Sequence, residues 1–226
     1  MTRGVGVGLV LTLAALLSQT RPASAQAQDP APVPSRARTP ISVRAFADAG
    51  VETFHAVEAF HAIFDRNTGA RFGGGLFVSL PKGLFADVRV SRLQMTGERV
   101  FYFDGQRYPL GVSDTLTVIP MQVTAGIRVP RPGSRTVPYI GAGAGWYRAS
   151  ETSEFSSEGE TAERTTPGFH VVGGADVRVW RSLGVGGEVE WSQVSDGLAG
   201  TGIASALKDT SLGGVSVRVR FLVGAW

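Results

Sequence analysis

The stretch SLGGVSVRVRFLVGAW (211–226) decides the fold, because Val215, Val217, Val219, Phe221 and Val223 alternate in it with Ser216, Arg218 and Arg220. Side chains of a strand repeat every two residues, so this segment is apolar on one face and charged on the other. Seven more segments carry the same alternation. In 41–51, Val43, Ala45, Ala47, Ala49 and Val51 oppose Arg44, Phe46, Asp48 and, just beyond, Glu52. In 71–80, Phe72, Gly74, Leu76, Val78 and Leu80 share the apolar face, and from Leu84 onward Ala86, Val88 and Val90 oppose Asp87, Arg89 and Ser91. In 115–129, Ile119 to Val129 oppose Gln122, Thr124 and Arg128. In 167–179, Phe169, Val171, Ala175, Val177 and Val179 oppose His170, Asp176 and Arg178; in 183–194, Val185, Val189 and Trp191 oppose Glu188 and Glu190. The remaining strand, PYIGAGAGWYR (138–148), alternates glycine so regularly that close approach of a neighbour or a tightly curved wall is expected, and its facing stays open.

The connections alternate long and short. The short ones turn at Pro81-Lys82-Gly83, at 130–136 and at 180–182. The long ones include FHAVEAFHAIFD (54–65), where Val57, Phe60 and Phe64 at helical spacing and a stop at Asn67 and Gly69 predict a short amphipathic helix. They also include a polar and aromatic excursion over 95–114 with a small hairpin turning at Asp104-Gly105, an acidic loop over 149–166, and a loop over 195–210. All long loops therefore leave one rim and all short turns the other, the asymmetry of a transmembrane barrel.

Residues 1–25 have the three parts of a secretory signal: Arg3, an apolar core over 5–17, and Ala23-Ser24-Ala25 as a small-residue cleavage site. The 13-residue core is shorter than the roughly 20 residues a spanning helix needs, and no other apolar run is long enough, so a membrane protein of this sequence has to cross with strands. Residues 26–40 are rich in Pro and Ala and read as an extended periplasmic linker; 41–226 is the barrel domain. With no cysteine, disulfides, thiolate metal sites, cysteine nucleophiles and a lipoprotein anchor are excluded. Arg3 and Arg21 account for two of the 22 basic residues, so a chain beginning at Gln26 holds 20 against 19 acidic ones. The charges are interspersed along the same strands, which points away from nucleic acid as a partner.

The expected fold is all-β, an eight-stranded antiparallel up-and-down transmembrane barrel. A soluble lipocalin-like periplasmic barrel with its apolar face turned inward is the competing orientation. The export signal, the loop asymmetry and the charge of the polar face favour the membrane. That face carries Arg44, Arg89, Arg128, Arg178, Arg218 and Arg220 beside Asp48, Glu52, Asp87, Asp176, Glu188 and Glu190. An eight-stranded barrel is just wide enough to be filled by side chains, so these charges are expected to form a paired lumen network, with Glu188 and Arg220 at similar depth.

With these strands, the signal and the terminal VSVRVRFLVGAW in view, the chain resembles the small outer-membrane β-barrel family of the OmpA/OmpX type over 41–226. The resemblance implies a cell outer membrane location, lipid as surroundings, and recognition of the C-terminal strand by the barrel assembly machinery, with Trp226 as the assembly signal. Trp226 departs from the family pattern: it falls in phase with Leu222 and Arg220, and a bulge near Gly224 would be needed to return it to the lipid face.

Other motifs carry less. His55 and Glu58 share a helix face, but His61 lies off it, so no metal is expected. His170 near several serines suggests a lipid A-modifying hydrolase, yet no nucleophile and base can be placed together on the lipid side, and no catalytic or cofactor residue is assigned. Trp146, Tyr147, Trp180 and Trp191 near strand ends suggest an aromatic girdle. The expected role is non-enzymatic, envelope-structural or surface-interacting through the long loops. The alternatives are a narrow channel for small or apolar solutes, gated or plugged by the helix with Val57, Phe60 and Phe64, and the lipid A enzyme.

Overall fold

The computed structural model describes residues 41–103, 106–153, 162–195 and 211–226. The expected signal peptide and linker, and the turn at 104–105, lie outside the described residues. Eight strands follow in chain order: β1 (Ser42–Phe54), β2 (Thr68–Ser79), β3 (Leu84–Phe103), β4 (Gln106–Arg128), β5 (Thr136–Ser153), β6 (Ala162–Arg178), β7 (Leu183–Gln193) and β8 (Gly214–Gly224). Each pairs antiparallel with its neighbours, and β8 returns to β1 with Asp48 opposite Arg220, closing the barrel without a free edge in its wall. One helix, α1 (Val57–Phe64), sits between β1 and β2.

The wall is apolar outward. Val43, Phe72, Leu76, Val88, Val123, Ile127, Ile140, Val217 and Phe221 all lie exposed, each more than half or close to half accessible. The interior holds the reverse: Arg44, Arg71, Arg89, Glu188, Glu190, Arg218 and Arg220 are each no more than 3% exposed. A soluble barrel would bury the valines, so this inversion overturns the lipocalin-like orientation. Such a surface suits hydrocarbon, in which a closed barrel satisfies every backbone group of the wall.

The strands on the long-loop side run further than the alternation foretells. The segment expected as an excursion over 95–114 is the continued β3–β4 ladder, paired up to Phe103 opposite Gln106 with one irregularity between Glu98 and Val100. Likewise the expected loop over 149–166 is largely β5 and β6, paired up to Glu151 opposite Ala162. On β6, Glu163, Arg164 and Thr165 are exposed on both faces while their pairing with β5 continues, so the hydrophobic period ends and the hydrogen-bond ladder does not. The first strand also extends, to Phe54, and the helix begins three residues later than the sequence suggests.

The open facing of 138–148 is resolved as an inward row of Tyr139, Gly141, Gly143, Gly145 and Tyr147, with Ile140, Ala142, Ala144 and Trp146 outward. Tyr147 therefore leaves the expected girdle: Trp146 faces lipid, which turns its neighbour into the lumen, where it is 1% exposed. The three glycines leave space for lumen side chains from β3, β4 and β6. A Cβ at Gly141 would lie 2.8 Å from Phe85 Cζ, one at Gly143 2.8 Å from His170 Cε1, and one at Gly145 3.0 Å from Gln122 Cγ.

Candidate functional site

Filling the lumen takes three stacked zones. Toward the long-loop rim, Phe54, Phe60, Phe64, Leu93, Met95, Leu116, Val118, Tyr147, Val194 and Leu212 form an apolar plug. Helix α1 supplies Phe60, stacked on Phe54 at 4.1 Å between centroids, and Phe64, 5.7 Å from Phe60. Val57, expected on the same face, is the first residue of the helix and is exposed, while Ala56 before it and Phe60 after it are buried.

Below the plug lies the charged zone. Arg71 Nη1 donates to Glu52 Oε2 at 2.9 Å and to Glu190 Oε1 at 3.3 Å, while its Nη2 donates to Gln122 Oε1 at 2.9 Å. Gln122 Nε2 in turn donates to Glu190 Oε1 at 2.8 Å and to the Tyr147 hydroxyl at 2.9 Å. Arg89 reaches across to Glu188 with Nη1 at 2.6 Å from Oε1, and contacts Asp48 at 3.2 Å and Asp87 at 3.6 Å. Arg218 bridges Glu188 and Glu190. Arg220 donates from Nε and Nη2 to the two oxygens of Asp176, both at 2.9 Å. The Tyr139 hydroxyl donates to Glu188 Oε2 at 2.8 Å. A charge taken out of water is tolerable only when paired and hydrogen-bonded, and here each carboxylate meets at least one guanidinium.

The third zone is aromatic. Phe46, Phe77, Phe85, Tyr139, Val172 and Leu222 pack together, with Trp226 against them. Arg220 lies 4.4 Å from the Tyr139 ring centroid, and Arg44 4.8 Å from that of Phe77 and 4.5 Å from that of Trp226.

Eleven of the twelve charged residues singled out in the sequence line this interior, ten of them deeply buried and Arg128 half-buried near the short-turn rim. Arg178 is the exception. It has the inward phase but is the last residue of β6 and is exposed at the rim, because alternation gives facing and not height. Glu188 is directly opposite Arg218, and Arg220, opposite Gly186 and so two residues nearer the short turns, still reaches it with Nη1 3.4 Å from Oε2. Arg71 was missed. It shares its face with Gly73 and Gly75, which carry no polar signal, so the period cannot be read around it.

His170 lies in the lumen with Nε2 3.0 Å from Thr124 Oγ1, not on the lipid side where a lipid A hydrolase would need its base. Glu188 and Glu190 are tied to arginines. No group of three or more candidate metal ligands occurs among the described residues. Trp146, Trp180 and Trp191 do face outward, Trp191 edge-on to Phe169 at 5.5 Å. Trp226 stays in the inward phase: β8 ends at Gly224, and no bulge turns the indole back to lipid.

A closed antiparallel barrel with an apolar exterior, charged interior and loop asymmetry is an outer-membrane β-barrel protein. The chain belongs to the outer membrane protein beta-barrel domain family, whose model matches residues 9–221. Among solved structures, it is similar to a major outer membrane protein from Thermus thermophilus, with a TM-score of 0.51 and 12% identity over 81% of this chain and 98% of that one. It also matches Neisserial surface protein A, with a TM-score of 0.43 and 16% identity over 80% of this chain and 95% of that one. The N-terminal beta-barrel domain of Pseudomonas aeruginosa OprF matches with a TM-score of 0.44 and 11% identity, over 80% and 96% of the two chains. No curated protein matches the chain.

Proposed function

We propose that this protein is a sealed, non-enzymatic barrel of the outer membrane that serves the envelope as a structural element and presents an interaction surface to the exterior. Residues 1–25 would direct its export and be removed, and 26–40 would remain as a periplasmic linker. The observation that carries the reading is the projecting sheet. Strands β3 to β6 have 20, 23, 18 and 17 residues, against 11 to 13 for β1, β2, β7 and β8. Only about 9 to 11 are needed to cross. The β2–β3 ladder ends at Arg71 opposite Leu93 and the β6–β7 ladder begins at Phe169 opposite Gln193. Among the described residues, 94–103 of β3 and 162–168 of β6 therefore have no ladder partner on their outer sides. Open edges of this kind recruit an extended segment of another chain by strand addition.

A second reading, a narrow passage gated by α1, is favoured by the seating of Phe60 and Phe64 in the apolar plug. Planar-bilayer recording separates the two. A sealed barrel gives no conductance steps in the full chain or after deletion of 56–65, because the ion-paired zone still crosses the lumen; a gated channel opens on that deletion. Sidedness is tested in the same chain, which has no native cysteine. Thr152→Cys should react with an impermeant maleimide on intact cells and Arg131→Cys should not, and the reverse result would refute the surface role.

A further inference from the structure

The short-turn mouth of the lumen holds a cavity of about 490 Å³. Its lining includes Arg44, Ser79, Arg128, Arg135, Arg178 and Trp226, and contains no Asp or Glu. Arg44 is 1% exposed, yet its Nε and Nη1 have no hydrogen-bond partner, and neither do Arg128 Nε and Trp226 Nε1. Arg44 Nη2 donates to Ser79 Oγ at 2.5 Å and Arg128 Nη1 to the same oxygen at 2.8 Å. Both lone pairs of that hydroxyl are thus occupied, and its own proton is left to donate. The nearest balancing charge is Asp176, 3.4 Å from Arg128 Nη2 and already held at both oxygens by Arg220. Arg44 has no carboxylate within ion-pair distance among the described residues.

Every buried side-chain atom left unpartnered in this lining is a donor. Guanidinium and indole N–H groups cannot accept, and buried donors left unmatched are costly. The group that completes the cavity must therefore be an acceptor bearing negative charge. We infer that the mouth is a binding site for a phosphate group entering from the periplasmic side, held by Arg44 and Arg128 with Ser79 and Trp226 and guarded by Arg135 and Arg178. Phosphate offers three strong acceptor oxygens, enough for this many donors, and guanidinium forks suit its geometry. The surrounding field favours its approach: the short turns add Lys82, Arg131 and Arg181 and contain no acidic residue. The phosphate could belong to a soluble periplasmic compound or to the headgroup of an inner-leaflet phospholipid.

The test uses the full chain folded in phosphate-free detergent micelles, with inorganic phosphate as the probe at fixed ionic strength, followed by calorimetry and ³¹P line broadening. One saturable site per barrel is expected. Arg44→Gln should weaken it by about tenfold or more, the loss of one or two charge-assisted hydrogen bonds. Because Arg44→Gln removes a buried side chain, Arg135→Gln/Arg178→Gln at the exposed rim provides a variant with no packing to lose, also expected to weaken binding. Lys82→Gln and Arg131→Gln, outside the cavity, remove only part of the surrounding field and should weaken binding by no more than about twofold at this fixed ionic strength. Displacement of phosphate by a short-chain phosphatidylglycerol assigns the site to a headgroup; failure to displace it assigns a soluble phosphate compound. Absence of saturable binding, or equal weakening by the cavity and non-cavity variants, would overturn the assignment.

Discussion

Arg89 on β3 and Glu188 on β7 face each other across the full width of the barrel and join as a two-pronged pair, Nη1 to Oε1 at 2.6 Å and Nη2 to Oε2 at 3.3 Å. In an eight-stranded cylinder the third and seventh strands are diametrically opposed, so this pair is a strut and not a rung between neighbours. Arg89→Met leaves Glu188, Asp48 and Asp87 short of a counter-charge in the closed interior, where all three carboxylates are buried. The expected cost is about 3–5 kcal/mol of unfolding free energy. Urea titration of the reconstituted barrel, read by the mobility difference between unboiled and boiled samples, measures it. A change below about 0.5 kcal/mol, the range of an ordinary surface substitution, would show that the pair contributes nothing.

The outward valines set a depth scale. Val219 is midway along β8, opposite Ala49 on one side and Gly187 on the other, whereas Ile41 precedes the first residue of β1 at the short-turn rim. Both are exposed. Val219→Arg is expected to destabilise the barrel by about 2–4 kcal/mol and Ile41→Arg by about 0–1 kcal/mol, following the distance of each from the bilayer midplane. Folding into lipid vesicles measures both. Equal costs would mean that the belt is not centred on β8.

Two adjacent glycines on β7 separate lumen from lipid. A Cβ at Gly186 would stand 2.5 Å from Asp176 Oδ1 and 3.1 Å from Arg220 Cγ, while one at Gly187 would meet nothing within 4 Å. Asp176 cannot swing away freely, since Arg220 holds both its oxygens. Gly186→Ala should therefore cost about 1–3 kcal/mol, as overpacking does. Gly187→Ala should change stability by no more than about 0.5 kcal/mol, the usual effect of a surface change. Thermal melts of the two variants check the pair.

The contrast between those glycines also marks what a sequence of this kind can and cannot disclose. Val215 to Val223 disclose facing because lipid on one side and packed side chains on the other impose opposite chemistry at every step. That constraint is local, so strand number, turn positions and most of the lumen charges are legible. Arg71 hides in GARFGGG because glycines give neither face a chemistry. Tyr147 hides beside Trp146 because two adjacent aromatics show no alternation. Arg178 obeys the alternation and still lies outside the network, since height in the barrel depends on how neighbouring strands are staggered. The projecting ends of β3 to β6 are invisible to hydropathy for a related reason: backbone pairing needs no apolar face once the membrane is left behind. The mouth cavity needs all of these at once, bringing Arg44, Arg128 and Trp226 together from three strands or their ends.

Trp226 and Phe221 lie on opposite sides of the same strand end, and that division predicts which of them serves assembly. Phe221 is 56% exposed on the lipid face, whereas the Trp226 indole is turned inward over Arg44, 4.5 Å from ring centroid to guanidinium carbon. Gly184 is what lets it in, since a Cβ there would collide with the indole ring. If the assembly machinery reads an aromatic from the outside of the folded β8, Phe221 is the one presented there. Phe221→Ala should lower the fraction of chain recovered folded in the outer membrane. Trp226→Ala should leave that fraction intact and destabilise the folded barrel by about 0.5–2 kcal/mol through the lost cation–π contact. Fractionation with unboiled and boiled gel samples reads both effects. If Trp226→Ala instead blocks assembly and Phe221→Ala does not, the indole is recognised before the barrel closes and swings inward over Arg44 only afterwards.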